Sequence, residues 1–149
     1  ASDAYHQTAP DPSGEGAILS MQRALNNARI DNQNIDYINA HGTGTPANDQ
    51  MEAKAISNLF GKNAKELYVS SSKSQIGHAL GGAGGIEAVI TALALKNQIV
   101  PPNINLENAI DNINFQIPKK SQKAKIDVGM SNSFAFGGHM ASLVLRRYE

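Results

Sequence analysis

Short apolar runs alternate with longer stretches of helical periodicity, and this alternation restricts the folds that the chain can adopt. The runs Ile35 to Ala40 and Leu67 to Ser71 have the length and composition of strands. Apolar residues recur at helical spacing from about Gly14 to Ala28 and from about Ala47 to Phe60. Strands that alternate with helices favour a mainly parallel sheet with helices on both faces. The sequence therefore predicts an α/β protein.

A third helix and a hairpin complete the predicted elements. The helix extends from about Ala83 to Lys96 and is apolar nearly all round, which indicates burial on more than one side. Residues 103–124 are rich in Asn and Lys and are expected to form a surface excursion. The predicted strands Ile126 to Ser133 and Met140 to Arg146 then flank a hairpin turn, Phe134 to Gly138.

Composition argues against several classes of function. The 149 residues include 13 Lys and Arg and 13 Asp and Glu, a balance that gives no electrostatic reason to bind nucleic acid or an anionic membrane. No apolar run approaches the ~20 residues that span a bilayer. The absence of cysteine excludes disulfides, thiolate zinc sites and a cysteine nucleophile among these residues. The four histidines lack metal-binding spacing, so we expect no metal site.

Three polar turns that contain glycine come directly after predicted strands. They are His41 to Thr45, Ser72 to His78 and Phe134 to Gly138. In open α/β sheets, ligands bind at the carboxyl ends of the strands. We therefore expect the three turns to converge on one site at that edge of the sheet.

The first turn has both a functional and a structural interpretation. An isolated histidine at a strand end, such as His41, is more often a hydrogen-bonded structural residue than a binding residue. Thr43 and Thr45 alternate with glycine, so their hydroxyls point the same way and a ligand can approach the backbone. The same hydroxyls could instead cap the following helix, as could Asn48.

Lys73 and His78 share the second turn, between a strand and the apolar helix. A lysine in this position is either solvated or held by a carboxylate, because buried charge requires a partner. Glu52 and Glu87 are the candidate partners, and Glu87 is the more informative because it lies inside an apolar helix.

The glycine-rich run Gly81 to Gly85 does not match a phosphate-binding loop. No Gly-Lys-Ser/Thr sequence follows it, and Glu87 stands where a dinucleotide fingerprint would have its third glycine. We interpret the run as close packing of the helix against another backbone. The chain also lacks the Gly-x-Ser-x-Gly elbow of serine hydrolases.

Together, these motifs resemble those of the β-ketoacyl-acyl-carrier-protein synthases, the condensing enzymes of fatty-acid and polyketide synthesis. The matching segments, in the family's order, are Asp3 to His6, Ile38 to Pro46, Ser72 to His78, Val100 to Leu106 and Asn132 to Gly138. They cover nearly the whole chain and are most similar to the elongating synthases rather than to the initiating type.

The resemblance implies a thiolase-like fold, a layered αβαβα arrangement of two similar halves. Residues 1–149 would be the C-terminal ketoacyl-synthase domain, and the nucleophilic cysteine would lie in the N-terminal half. The implied reaction is the decarboxylative Claisen condensation of malonyl-carrier protein with an acyl thioester, which is the acyltransferase reaction of a 3-oxoacyl-acyl-carrier-protein synthase. Without the cysteine, this chain alone is expected to be inactive.

The resemblance also implies catalytic roles. His41 and His78 would donate N–H groups to the enolate oxygen that becomes negative as malonyl loses carbon dioxide. Lys73 would orient the site and support His78 electrostatically. Its ammonium, with Glu52 as a candidate partner that gives structural support, would help to keep the imidazoles neutral, because a nearby positive charge disfavours their protonation.

Substrate-binding roles follow in the same way. Thr43 and Thr45 would hydrogen-bond the phosphopantetheine arm, Phe134 would line the substrate site, and Phe136 would be the gate that swings when the acyl chain enters. The gate loop departs from the family's pattern at three positions, which are Ala135, His139 and Met140. These departures affect the gate and leave the reaction class unchanged.

The implied partners are the acyl carrier protein, the N-terminal half of the enzyme and, at full length, a second copy in a homodimer. The carrier brings phosphopantetheine, so no separate cofactor is expected. We expect the segment Ile86 to Leu95 to be poorly buried without the N-terminal half. Family members act in the bacterial cytoplasm or in eukaryotic plastids or mitochondria, and the former is the expectation here.

Two alternatives remain open, a portion of a polyketide ketosynthase and a non-catalytic subunit of the chain-length-factor kind. Such subunits typically lose active-site residues, so the retention of His41, Lys73 and His78 argues against the second. A degradative thiolase would carry a catalytic cysteine in this half, and the absence of cysteine argues strongly against it.

Overall fold

The computed structural model describes residues 1–148, which form four helices and six strands joined by short 3-10 turns and loops. In chain order these elements are α1 (Glu15–Ala28), β1 (Tyr37–Asn39), α2 (Pro46–Phe60), β2 (Tyr68–Ser70), α3 (Lys73–Ile76), α4 (Ala83–Asn97), β3 (Ile99–Val100), β4 (Gln122–Lys123), β5 (Val128–Phe134) and β6 (Met140–Arg146). None of the helices within these residues is long and apolar enough to cross a membrane.

The main sheet has the strand order β2-β1-β5-β6. β1 runs parallel to both β2 and β5, whereas β6 runs antiparallel to β5 with Phe134 opposite Met140. The predicted α/β class and the predicted hairpin are therefore confirmed. The carboxyl ends of β1, β2 and β5 lie at the same edge, which is where the polar turns begin.

Helices cover the sheet from both faces, and alternate residues of the strands supply the two cores. On one face, Met130 and Ile38 pack with apolar residues of α1 and α2, among them Met21. On the other face, Tyr37 packs with Leu95 of α4 and with its neighbours. This alternation follows from the two-residue period of a strand.

Gly129 allows α4 to lie close to the sheet. A side chain at this position would place its Cβ 3.0 Å from Thr91 Cγ2 and 3.3 Å from Leu95 Cδ2. A larger residue would have to displace these side chains or the helix itself, so the small residue favours the close approach of the two elements.

Three local predictions need correction. The segment after β2 is not an open polar turn, because Lys73–Ile76 completes one helical turn. In the glycine run, only Gly84 packs closely against another element, and its neighbour is the side chain of Ser133 rather than a backbone, since a Cβ at Gly84 would lie 3.2 Å from Ser133 Oγ. Helix α4 is buried on one side only, because one layer of sheet covers it.

The open side of α4 carries large apolar side chains. Ile86, Val89 and Leu93 are 42%, 60% and 50% exposed, whereas Glu87 and Thr91, on the side facing the sheet, are buried. These exposed side chains agree with the prediction that the segment Ile86 to Leu95 is poorly buried without the N-terminal half. Leu95, the last residue of the predicted segment, is buried against β5.

Truncation of a core side chain tests the packing of the sheet. We expect Met130→Ala to lower the free energy of unfolding by about 2–5 kcal/mol, because this fully buried side chain would leave a cavity between β5 and the helices. Leu143→Ala, at a 52% exposed position on β6, is the control and should change it much less. Urea denaturation measures both, and equal losses would contradict the packing described.

Candidate active site

The three polar turns meet at the carboxyl edge of the sheet, as predicted. The rings of His41 and His78 lie with their centroids 5.5 Å apart and nearly perpendicular, at 85°. Phe134, at the end of β5, lies on another side of His41, with ring centroids 5.6 Å apart. One residue from each turn therefore contributes to a single cluster.

His41 is buried at the floor of this cluster and is neutral at physiological pH. Its side chain follows β1, and only 6% of the residue is exposed. Burial, followed by the positive charge of Lys73 and the neighbouring His78, lowers the pKa of His41 to about 3. Its Nδ1 has no hydrogen-bond partner among residues 1–148.

His78 is exposed, and the backbone selects which of its nitrogens carries the proton. The N–H of Leu80 donates to His78 Nδ1 at 3.1 Å. A nitrogen that accepts a hydrogen bond is unprotonated in neutral imidazole, so the hydrogen of the neutral ring lies on Nε2. Nε2–H is then a donor without an acceptor among residues 1–148.

Glu52 is not the partner of Lys73, which corrects the expectation from sequence. Its Oε1 accepts the backbone N–H of His41 and its Oε2 accepts that of Gly42, both at 2.9 Å. Asn132 Nδ2 adds a third hydrogen bond at 3.1 Å. Burial raises the pKa of Glu52, against the effect of these hydrogen bonds. Both oxygens are thus engaged by the first turn and β5.

The partner of Lys73 is Glu87 of α4, the second of the two candidates. Lys73 Nζ and Glu87 Oε1 form an ion pair, and both side chains are almost fully buried. A buried ammonium requires such a partner. Lys73 begins α3, so the ion pair joins the second turn to the side of α4 that faces the sheet.

Two asparagines that the sequence analysis left without a role connect these groups. Asn39 donates to Ser72 Oγ at 2.8 Å and to the carbonyl of Glu87 at 3.2 Å. Asn132 links Glu52 to β6 through Ser142, which donates to its Oδ1 at 2.8 Å. Both lie in motif segments, but their roles depend on contacts between distant parts of the chain.

The two threonines keep their hydroxyls free of the helix. Thr43 Oγ1 and Thr45 Oγ1 lie 3.0 Å apart, which agrees with the expected common direction. Thr45 is the N-cap residue of α2 but makes no capping bond with its side chain. Asn48 lies inside α2 and donates to Asp49, so it is not the cap either.

The loop from Ala135 to Met140, which contains the predicted gate Phe136, is held by the beginning of the chain. Phe136 is 74% exposed, and Gly137 donates its N–H to the carbonyl of Gln7 at 2.7 Å. Gly138 adopts φ +74°, and a Cβ there would collide with the Asp3 side chain. Met140 is buried and hydrogen-bonds Ala1 through its backbone, so backbone contacts anchor this turn where the family's pattern has an asparagine.

No group of three or more His, Asp or Glu side chains within residues 1–148 is arranged to hold a metal ion. The chemistry that the cluster offers is hydrogen-bond donation from two imidazoles, of which His41 is neutral, beside a buried ammonium. Such donors stabilise an oxygen on which negative charge develops.

Comparisons with known proteins show the family to which the chain belongs. The family described as "Beta-ketoacyl synthase, C-terminal domain" matches residues 1–107. A curated relative, 3-oxoacyl-[acyl-carrier-protein] synthase 2 from Coxiella burnetii, is 50% identical over 146 residues, which are 97% of this chain and 35% of the relative. This chain therefore spans about a third of the length of that relative.

Solved structures share the fold at similar coverage. A type II polyketide acyl-carrier protein in complex with its ketosynthase, bound to the hexaketide, matches with a TM-score of 0.95 and 31% identity over 100% of this chain and 37% of that one. The ishigamide ketosynthase/chain length factor matches with a TM-score of 0.92 and 34% identity over 99% of this chain and 36% of that one. These matches confirm the thiolase-like ketosynthase fold.

The lowered pKa of His41 predicts how stability depends on pH. Because the unfolded chain protonates this ring near pH 6.5 and the folded chain only near 3, stability decreases as the pH falls below 6.5. In His41→Phe this contribution is absent. Between pH 7 and pH 5, the unfolding free energy of the wild type should therefore fall by up to about 2 kcal/mol more than that of the variant. Urea denaturation at both pH values measures this, and parallel losses would refute it.

Proposed function

The chain belongs to the β-ketoacyl synthase family, and on that premise we propose that it is part of a 3-oxoacyl-acyl-carrier-protein synthase active in fatty-acid elongation. The observation that carries the proposal is the pairing of two imidazoles, with His41 neutral and His78 presenting an unused Nε2–H. The nucleophilic cysteine would come from the N-terminal half of the enzyme.

The two histidines would act on the malonyl thioester. When the bond to the carboxylate breaks, carbon dioxide leaves and the electron pair moves through the α-carbon onto the thioester oxygen. N–H groups of His41 and His78 would bind that oxygen and lower the energy of the enolate. The α-carbon then attacks the acyl thioester on the cysteine, a new carbon–carbon bond forms, and the cysteine leaves as thiolate.

Lys73 would act on the histidines rather than on the substrate. Burial is the main cause of the low pKa of His41, and the nearby Lys73 ammonium lowers it further, which favours the neutral form that donates to an oxyanion without carrying charge itself. The ion pair with Glu87 fixes the ammonium in this position. Glu52 would contribute by holding the backbone of the His41 turn.

The remaining predicted residues would guide the substrate. Thr43 and Thr45 offer two adjacent hydroxyls to the amides of phosphopantetheine, which arrives on the acyl carrier protein and makes a separate cofactor unnecessary. Phe134 would line the site beside His41, and the exposed Phe136 would gate the acyl chain between small neighbours. These roles are carried over from the family's motif.

Fatty-acid elongation is favoured over polyketide synthesis by the degree of similarity. The curated 3-oxoacyl-acyl-carrier-protein synthase is 50% identical, whereas the polyketide ketosynthase structure is 31% identical. The similarity to a ketosynthase/chain length factor supports a non-catalytic subunit as the second candidate. The retained set of His41, Lys73 and His78 favours the catalytic one. Because the curated relative is bacterial, we expect a cytoplasmic enzyme.

The N-terminal half is the proposed occupant of the open face of α4. The curated relative is about three times as long as this chain, and Ile86, Val89 and Leu93 present a row of exposed apolar side chains. Covering them would complete the burial of a helix whose other face already lies on the sheet. Homodimerisation is proposed for the full-length protein only.

Removal of either histidine tests the reaction. In the enzyme assembled with its N-terminal half, His41→Ala and His78→Ala should each lower the rate of malonyl-carrier decarboxylation about 100- to 1,000-fold, as loss of an oxyanion donor does. Release of carbon dioxide from labelled malonyl-carrier protein gives the rate. Gln22→Ala, at an exposed position on α1 outside the predicted site, is the control. A rate that survives both active-site substitutions would exclude the proposed role.

A charged substitution on α4 tests the proposed partner. Val89→Lys should abolish association with the separately produced N-terminal half, because an unpaired ammonium would be buried at the contact. Leu19→Lys is the matched control, since Leu19 is a similarly exposed apolar residue on α1. Co-elution in gel filtration reports association. If both variants bind as the wild type does, this face of α4 does not contact the N-terminal half.

A further inference from the structure

Residues 100–105 form a strap that lies against α3 and holds it through side-chain hydrogen bonds. Asn103 Oδ1 accepts the backbone N–H of Ser71 at 2.9 Å, and Ser74 Oγ accepts that of Ile104 at 3.1 Å. The other bonds join Gln75 Nε2 to the Pro102 carbonyl at 3.0 Å and Asn105 Nδ2 to the Ser74 carbonyl at 3.4 Å. Each of these four bonds uses at least one side chain, so substitution of that side chain can remove it.

Helix α3 depends on such external support. It comprises only Lys73–Ile76, far fewer than the ~12–15 residues at which an isolated helix becomes marginally stable. The strap itself is stiff, because Pro101 and Pro102 have fixed φ angles. Asn103 also donates its N–H to the carbonyl of Pro118 at 2.7 Å, which ties the strap to the rest of the surface excursion.

Ser71 transmits the position of the strap to the first turn as well. While its N–H is held by Asn103, its Oγ donates to the carbonyl of Gly42 at 2.7 Å. The two residues are packed so closely that a Cβ on Gly42 would lie 2.5 Å from Ser71 Cβ. Displacement of Ser71 would therefore move Gly42, and with it His41, the next residue along the chain.

On the basis of the function proposed above, we propose that Asn103 is a positioning residue, which acts through Ser71 to hold His41 and Lys73 at their mutual distance. Its amide oxygen is the only side-chain acceptor that the described residues offer to the Ser71 N–H. Ser71 is the point from which the chain enters α3 and from which the Gly42 contact is made. Asn103 itself contacts neither histidine.

The positioning role of Asn103 can be measured, because the pKa of His41 depends in part on the position of the Lys73 ammonium. The groups that face this ring are Lys73 from α3, His78 from the second turn and Glu52 from α2, which holds its backbone. Glu87 lies behind the ammonium. If the ammonium moves away, protonation of His41 becomes easier and its pKa rises. The acid limb of the decarboxylation rate then shifts to higher pH.

Three variants of the enzyme assembled with its N-terminal half test this role. Asn103→Leu keeps the branched shape and removes the acceptor, Asn103→Asp keeps an acceptor oxygen, and Asn108→Leu alters an exposed asparagine on the same excursion. For Asn103→Leu we expect a kcat of decarboxylation about 10- to 100-fold lower, an unchanged KM for malonyl-carrier protein and an acid limb displaced to higher pH. Asn103→Asp should recover most of kcat, and Asn108→Leu should match the wild type.

A purely structural role predicts a different result. Asn103→Leu would then lower the melting temperature without moving the acid limb, and this outcome, or kinetics equal to those of Asn108→Leu, would overturn the proposal. Titration of His41 by carbon-13 NMR of labelled histidine gives the same answer without activity. If the wild type fails to decarboxylate malonyl-carrier protein, the proposed function falls, while a His41 pKa that rises in Asn103→Leu would still support the positioning role.

Discussion

The carboxylate of Glu52 is the contact on which the arrangement of the site depends. It joins α2 to the turn after β1 through two backbone N–H groups and to β5 through Asn132. Each of these donors would cost about 1–3 kcal/mol if it were left buried without a partner. Because Glu52 holds backbone atoms rather than the imidazole, the ring of His41 is oriented while both its nitrogens remain available.

A second buried carboxylate, Glu87, performs a different task. It pairs with Lys73 and so brings a positive charge close to the rings without leaving that charge uncompensated. The two buried acids near one lysine thus have separate tasks, since Glu52 orients the backbone of His41 and Glu87 anchors the ammonium that adds to the effect of burial on the pKa of His41. Glu87 also lies on α4, so the lysine is coupled to the packing of that helix.

Much of this organisation was predictable from sequence because it depends on local patterns. Periodicity gives α1, α2 and the strands, and the rule that ligands bind at the carboxyl ends of strands identifies the turns that carry His41 and His78. The assignment of acids was not predictable, because Glu52 and Glu87 both lie on helices and only tertiary packing decides which one meets Lys73. The short helix α3 was missed for the same reason, since contacts from the excursion stabilise it.

The two histidines differ in exposure, and this difference indicates how the site is completed. His41 lies at the floor with Phe134, whereas His78 is exposed and only residues 79–82 separate it from α4. A partner that covered the apolar side chains of α4 would therefore also approach the open side of His78. Exclusion of water from that side would strengthen each hydrogen bond to a developing oxyanion, because the local dielectric constant would fall. Under the proposed function, burial of the helix and completion of the site would thus be two effects of a single interface.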